Sequence, residues 1–359
     1  MEYQQQQRLG EQVDFHLWGG GWRHTRDEIL GDAAEDYVRI DNTRDQADLF
    51  SLFAQGEFAL VPERWALILG ARVDLRRRRE ARLPAQRARL LFTPDKTHSL
   101  WASVARGVRT ASRAEQAVAG TLPATPLPAP VTLPGLGTIS DVVPRLDGNP
   151  DFGHEYLDAL DLGWRAAWSP TLSTEIAAYH YRYDDLRYAS PSGTPELIFG
   201  AVPHFVQPVR LDTTERARVS GVELTANWRP TAVWDLAASL SLNHLGHSSV
   251  DGRAEFSEGT PERIFTLRTG YAISPTLQWD AWLRHSSALY TYSFQAGRQI
   301  DPHWTLDMRL GWKASRDLEI SIVGQNLLDR RHLEAINEPL PSILTEIERG
   351  VYLRADWRL

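Results

Sequence analysis

Long runs of alternating polarity constrain this chain more than any other feature. Trp304, Leu306, Met308, Leu310 and Trp312 alternate with Thr305, Asp307, Arg309, Gly311 and Lys313. Trp234, Leu236, Ala238, Leu240 and Leu242 alternate with Asp235, Ala237, Ser239, Ser241 and Asn243, and Leu277, Trp279, Ala281 and Leu283 with Gln278, Asp280, Trp282 and Arg284. The same pattern runs from Trp65 to Leu75, Phe50 to Leu60, Val222 to Trp228 and Val351 to Leu359. A period of two belongs to strands, whose side chains point to opposite faces in turn. Each run lasts roughly ten residues, where a strand of a soluble sheet has about five or six. Roughly ten is what a tilted strand needs to cross the apolar layer of a membrane. In water, so many wholly apolar faces would leave a large exposed patch; lipid satisfies them.

The connections follow the same logic. Short turns occur at Val61-Pro62-Glu63-Arg64, Thr93-Pro94-Asp95-Lys96, Ser169-Pro170-Thr171, Arg229-Pro230-Thr231, Ser274-Pro275-Thr276 and Ala314-Ser315-Arg316-Asp317, all rich in turn-forming residues. Between them lie stretches that predict long irregular loops, at 25–46, 76–85, 107–154, 189–214, 246–259, 290–302 and 328–346. Alternating short turns and long loops mark a transmembrane barrel and are foreign to a compact soluble domain. The predicted fold class is all-β, a transmembrane antiparallel meander β-barrel. About 15 strands are expected, near 2–8, 13–24, 47–60, 65–76, 86–93, 98–106, 155–168, 172–187, 215–228, 232–246, 260–273, 276–289, 303–313, 317–327 and 348–359. The first has no apolar face.

Composition agrees where it speaks. Mean hydropathy is -0.36 and no run of about 18 apolar residues exists, which excludes a transmembrane helix but not a barrel. Thirteen Trp suit the aromatic belts at lipid interfaces. Cysteine is absent, as suits an oxidising compartment. A net charge of -7 argues against a nucleic-acid surface. The start, Met1-Glu2-Tyr3-Gln4, lacks the basic and apolar regions of a signal peptide.

The wording of several strands resembles a known family. Thr305-Leu306-Asp307-Met308-Arg309-Leu310-Gly311-Trp312, then Leu318 to Asp329 with its Asn326-Leu327-Leu328-Asp329, then Arg349 to Leu359, resemble the last three strands of TonB-dependent outer-membrane receptors. Upstream, Ser220-Gly221-Val222-Glu223-Leu224, the stretch from Gly148-Asn149-Pro150 to Tyr183-Asp184-Asp185-Leu186, Phe53-Ala54-Gln55-Gly56-Glu57 with Leu69-Gly70-Ala71-Arg72, and Arg106 to Arg113 follow that family's order. The resemblance covers nearly the whole chain. It implies the C-terminal portion of a 22-stranded barrel, with residues 1–359 as a partial barrel domain. The plug domain and signal peptide are expected to be absent from this chain, which then reads as a fragment or truncated reading frame. Leu359 stands where the family ends in an aromatic residue recognised by the barrel-assembly machinery.

No catalytic constellation is expected: neither a Gly-x-Ser-x-Gly elbow nor a phosphate loop occurs, and an enzyme, a cofactor and a metal site are not anticipated. Tyr179, Tyr181 and Tyr183 share one face of a strand, opposite Leu172, Thr174, Ile176 and Ala178. Facing inward, they can stack on or hydrogen-bond an aromatic ligand such as a catecholate siderophore; facing outward, they join the external girdle. Arg76 to Arg79 run into a loop, as candidates for lipopolysaccharide phosphates or an anionic ferric complex or as a solvated basic loop. Arg109 and Arg113 are similar ligand candidates. His244 and His247 are either metal or haem ligands or two polar loop residues; three apart on a strand, they point to opposite faces. Glu57, Arg72, Glu223, Asp307 and Arg309 are expected on the lumen wall, facing a plug.

The resemblance implies active uptake of a scarce nutrient across the bacterial outer membrane, foremost a ferric siderophore, otherwise haem or cobalamin. The implied partners are membrane lipid and lipopolysaccharide, and the TonB-ExbB-ExbD complex acting through the plug. A self-contained diffusion porin and a non-transporting remnant are the alternatives. Loops choose the ligand, and nothing in their sequence names it.

Overall fold

The computed structural model describes residues 1–7, 13–29, 38–40, 44–76, 81–135, 137–199, 202–248, 260–291, 298–334 and 345–358. Its elements are, in chain order, β1 (Glu2–Gln7), β2 (Val13–Glu28), β3 (Val38–Ile40), β4 (Arg44–Val61), β5 (Trp65–Arg76), β6 (Ala81–Phe92), β7 (His98–Arg109) and the helix α1 (Arg113–Ala117). There follow β8 (Val118–Thr121), β9 (Thr125–Leu133), β10 (Gly137–Asp147), β11 (Glu155–Ser169), β12 (Leu172–Pro191), β13 (Glu196–Ile198), β14 (His204–Thr231) and β15 (Trp234–Ser248). The last are β16 (Arg263–Ser274), β17 (Leu277–Ser286), β18 (Leu289–Thr291), β19 (Arg298–Ile300), β20 (His303–Lys313), β21 (Leu318–Gln325), β22 (Arg331–His332), β23 (Ile347–Glu348) and β24 (Gly350–Trp357).

Fifteen of these form one continuous antiparallel meander, β1-β2-β4-β5-β6-β7-β11-β12-β14-β15-β16-β17-β20-β21-β24. This is the strand set expected from the alternation, including β1, which pairs Tyr3 with Gly20. Among the described residues, β1 and β24 are the edges of this sheet.

Register places the two parities on separate faces. Leu310 lies opposite Trp279 and Ile322; Ile176 lies opposite Trp164 and Leu224. This apolar face is exposed, with Leu310 at 39%, Trp312 at 51% and Ile176 at 37%, so it requires a non-aqueous surround. It begins at the short turns with aromatic residues. Trp65 stacks on Phe92 at 4.2 Å, Trp164 meets Trp168 edge-on at 5.6 Å, and the Trp168 and Trp234 indoles donate to Thr174 and Thr269. Towards the long loops the same face turns polar, at Arg106, Asp158, His180, Arg182 and Ser220. An apolar band bounded by aromatic residues below and charges above is the outer surface of a membrane barrel.

Three of the short turns share one device. A turn side chain accepts backbone N–H groups that the strands leave free: Asp95 from Thr97 and His98, Ser274 from Thr276 and Leu277, Ser315 from Asp317 and Leu318. These are Asx and Ser turns.

The loop end differs from expectation most in three places. Within 76–85, Arg76 and the residues from Ala81 onward are strand, with Arg76 paired to Ala81 and Asp74 to Leu83. The stretch 107–154 is not irregular: it holds α1, β8, β9 and β10. The stretch 189–214 continues two wall strands, with Pro191 paired to Val209. β14 therefore rises above the wall, and β10 adds to its exposed edge in parallel, Val142 to Asp147 against Phe205 to Arg210. Purely antiparallel pairing holds for the wall and not for this rim. Periodicity missed the rim because its strands carry no sustained apolar/polar alternation. Among the described residues, most buried apolar side chains cluster here, including Leu83, Val118, Leu122, Ile139, Phe152 and Val209.

The two faces predict opposite responses to charge. Ile176→Arg, on the apolar face, is expected to cost about 2–4 kcal/mol near mid-membrane, and Thr225→Arg, on the polar face opposite Glu175, close to nothing. Urea unfolding of the chain in lipid vesicles measures both; equal costs would contradict the face assignment.

Candidate functional site: the polar wall and its loop-end rim

The polar parity of the meander builds a continuous wall of hydrogen-bonding side chains. Tyr179, Tyr181 and Tyr183 stand on it in line, opposite Asp161, Ala159 and Leu157 of β11. The rings of Tyr179 and Tyr181 stack at 4.8 Å with an angle of 22°. The Tyr181 hydroxyl donates to Asp161 Oδ1 at 2.8 Å, and Ser103 donates to the other oxygen of that carboxylate. The Tyr179 hydroxyl donates to Asn243, which Ser241 also approaches. The ladder is thus held at its hydroxyl ends, with Tyr183 next to a bulge where Asp185 has φ 58°.

Glycines make the ladder possible. Tyr179 reaches Asn243 by lying across Gly221, where a Cβ would stand 2.4 Å from its hydroxyl. Trp101 likewise lies across Gly163, where a Cβ would fall 1.9 Å from its ring. Arg89 covers Trp101, and Arg268 and Arg284 flank Trp282, the latter at 4.2 Å, in cation–π geometry. Trp101 and Trp282 were not singled out from sequence. Their signal is parity: each falls on the polar phase of its strand, where a girdle tryptophan does not.

The five residues expected on the lumen wall all occupy the polar parity. Arg72 donates to Asp74 and Ser51, both at 2.9 Å. Asp307 accepts from Arg284 at 2.6 Å and from the Asn326 backbone at 2.9 Å. Arg309 joins Asp280 at 2.9 Å and Glu319. Glu57 and Glu223 have no ion pair among the described residues, so these two carboxylates are available to whatever meets the wall.

Arg109 and Arg113 lie at the rim, and each is engaged by carboxylates. Arg109 grips Glu155 (2.6 Å from Nη2) and Glu115 (2.7 Å) together. Glu115 is 2% exposed and closes a capping box with Ser112 at the start of α1, and Arg187 approaches it at 3.5 Å. Burial pushes the Glu115 carboxyl up, but the Arg109 hydrogen bond and the Ser112 N–H outweigh this and hold it below its ordinary value of 4.5. Arg109 is raised in turn, first by Glu155 and then by Glu115. Arg113 sits 2.8 Å from Asp27. Both arginines thereby pin the segment from Ala111 to Gly153 onto the wall.

Arg76 donates to the Ala111 carbonyl at 3.4 Å; Arg77, Arg78, Arg79 and Leu359 lie outside the described residues. His244 pairs with Ser220 on the outer face, whereas position 247 pairs with Ala217 on the other face. A different group does converge: His303, His332 and Glu334, each offering one ligand atom within 4.8 Å of the others. No local motif announces it, because β20 and a later loop supply its members.

Residues 2–327 match the family described as TonB dependent receptor-like, beta-barrel. Solved structures share the fold. The siderophore receptor PirA of Acinetobacter baumannii has TM-score 0.76 and 12% identity, covering 99% of this chain and 54% of its own. A mutant of the ferric enterobactin receptor PfeA of Pseudomonas aeruginosa has TM-score 0.74 and 15% identity, covering 99% and 52%. PirA of Pseudomonas aeruginosa has TM-score 0.67 and 13% identity, covering 99% and 55%. The chain thus spans about half the length of these structures. No curated protein matches it by sequence.

Two outcomes follow from this geometry. Gly163→Ala should expel Trp101 from its seat, changing the near-ultraviolet circular dichroism and costing about 1–3 kcal/mol; adding Trp101→Ala should recover part of that loss, which additive costs would contradict. The Glu115 cluster should stabilise the rim fully above pH 4.5 and lose that contribution as pH falls through the depressed folded value. Hydrogen-exchange protection factors across residues 111–153 should drop in that window, and Glu115→Gln should lower them at neutral pH and flatten the dependence.

Proposed function

The chain belongs to the TonB-dependent receptor β-barrel family, and on that premise we propose that it is the wall of an outer-membrane importer of a scarce nutrient carried as a ferric siderophore. The observation that carries this reading is the tyrosine ladder of β12, aimed inward from a charged wall. Stacked phenol rings with anchored hydroxyls suit the flat, oxygen-rich rings of a catecholate ligand. The structures that share this wall are described as siderophore or ferric enterobactin receptors.

In this mechanism the ligand enters from the loop end, past the rim from Ala111 to Gly153. Tyr179, Tyr181 and Tyr183 receive its aromatic part. A plug seated against the wall meets Glu57, Arg72, Glu223, Asp307 and Arg309, and the unpaired Glu57 and Glu223 favour basic groups on it. The TonB-ExbB-ExbD complex pulls on that plug and opens the path. Lipid and lipopolysaccharide surround the apolar band, and the barrel-assembly machinery engages β24. No bond in the ligand is made or broken, so the wall binds and orients without catalysis.

Uptake of iron presented as a ferric catecholate, by cells expressing the natural gene, tests this. Uptake should saturate and stop when a protonophore collapses the inner-membrane gradient. Tyr179→Ala and Tyr181→Ala should each weaken half-saturation roughly fivefold, as expected for about 1 kcal/mol of aromatic contact. Unsaturable entry that ignores the protonophore would instead assign the chain to diffusion pores.

A further inference from the structure

We propose that His303, His332 and Glu334 form a binding site for a divalent transition-metal cation at the loop end of β20, separate from the tyrosine ladder. His303 opens β20 on the polar parity that continues through Thr305, Asp307 and Arg309. His332 belongs to β22, whose short ladder with β23, Arg331 to Glu348 and His332 to Ile347, folds the excursion after β21 back over the wall. The turn at Asn326, with φ 49°, starts that excursion, and Asn326 Nδ2 donates to the Ile347 carbonyl at 3.1 Å. Residues almost thirty positions apart are thereby brought together.

The His303 ring is already oriented for ligation. His303 Nδ1 lies 3.0 Å from the Asp301 carbonyl. A carbonyl only accepts, so Nδ1 carries the proton and Nε2 presents its lone pair. A backbone carbonyl behind a histidine is the usual orienting partner of a metal ligand. His332 Nε2 faces Glu334 Oε1 at 3.1 Å, close to the edge of about 3.3 Å between two donors of a tetrahedral ion with bonds near 2.0–2.1 Å. Behind the same ring, the Asp329 carboxylate lies 3.7 Å from Nδ1. When a cation takes Nε2, the proton there moves to Nδ1, where the Asp329 carboxylate accepts it in place of the Asn326 amide group that lies 3.3 Å from Nδ1. The two imidazoles lie side by side, with ring centroids 4.4 Å apart and an interplanar angle of 25°.

The donor set selects the class of ion. Two imidazoles and one carboxylate suit zinc, nickel, cobalt or copper, whereas calcium and magnesium demand oxygen ligands. Three protein ligands leave a fourth position for water or for a donor from an incoming molecule. The His332 side chain is 7% exposed and that of Glu334 is 48% exposed, so an ion reaches the site from the loop side and then ties the excursion to β20. This proposal does not rest on the ferric siderophore reading.

Titration of the intact chain in detergent with zinc, and with cobalt as a spectroscopic probe, tests it. One cobalt ion should give the intense visible bands of a tetrahedral site, displaced by zinc and untouched by calcium. His303→Asn and Glu334→Gln should each weaken zinc binding at least tenfold, and together abolish the cobalt bands. Both positions are less buried than His332, and far-ultraviolet circular dichroism confirms that each variant keeps its strands. Zinc should also protect the backbone amides of residues 326–334 from exchange in the parent and not in the double variant. Absent cobalt bands in the parent, or zinc affinity unchanged in the folded double variant, would overturn the proposal.

Discussion

In hydrocarbon no water is available to a peptide N–H or C=O, and each unsatisfied group costs several kcal/mol. The ladder from β1 to β24 answers that constraint, and the rest of the structure depends on it. Because neighbouring strands must stay in register along their length, their side chains sort into two uninterrupted faces. One can be apolar only if lipid covers it, and the other can be charged only if it faces away from lipid. The short turns obey the same rule, with Asp95, Ser274 and Ser315 accepting N–H groups where the ladder stops.

The polar face carries a second level of organisation. Phe53, Trp101 and Tyr179 lie over Gly19, Gly163 and Gly221, in places where a Cβ would collide with the ring. The glycines let large rings lie flat on the wall, and arginines cover two of them, Arg72 over Phe53 and Arg89 over Trp101. The result is a wall that is both aromatic and charged, able to meet a plug and a flat ligand with the same residues. Above it, Arg109, Glu115 and Glu155 fasten the rim, so that this stretch has a fixed shape despite lying outside the membrane band.

The legible part of this protein is the part that repeats. Period two in Trp304 to Lys313 or Trp234 to Asn243 reports which face each residue joins, and the sheet register gives Glu57, Arg72, Glu223, Asp307 and Arg309 the same parity as Tyr179 and Tyr181. The same parity, applied to Trp101 and Trp282, marks them as inward. The rim escaped because β8 has only four residues, prolines interrupt β9, and β10 changes partners along its length, from β9 to β8 and β14, so their residues follow contacts instead of alternation. Arg109 and Arg113 looked like free basic residues because their carboxylate partners, Glu155 and Asp27, come from other strands.

Local sequence therefore determined the strands, their two faces, the short turns and the family, because strand geometry couples each residue only to its neighbours at a period of two. Tertiary structure decided what depends on distant partners. It chose which glycine receives which ring, locked Arg109 between two carboxylates, added β10 to the edge of β14, and brought His303 to His332 and Glu334. Those contacts join residues far apart in the chain, and they exist only once the register of the sheet has set which strands lie side by side.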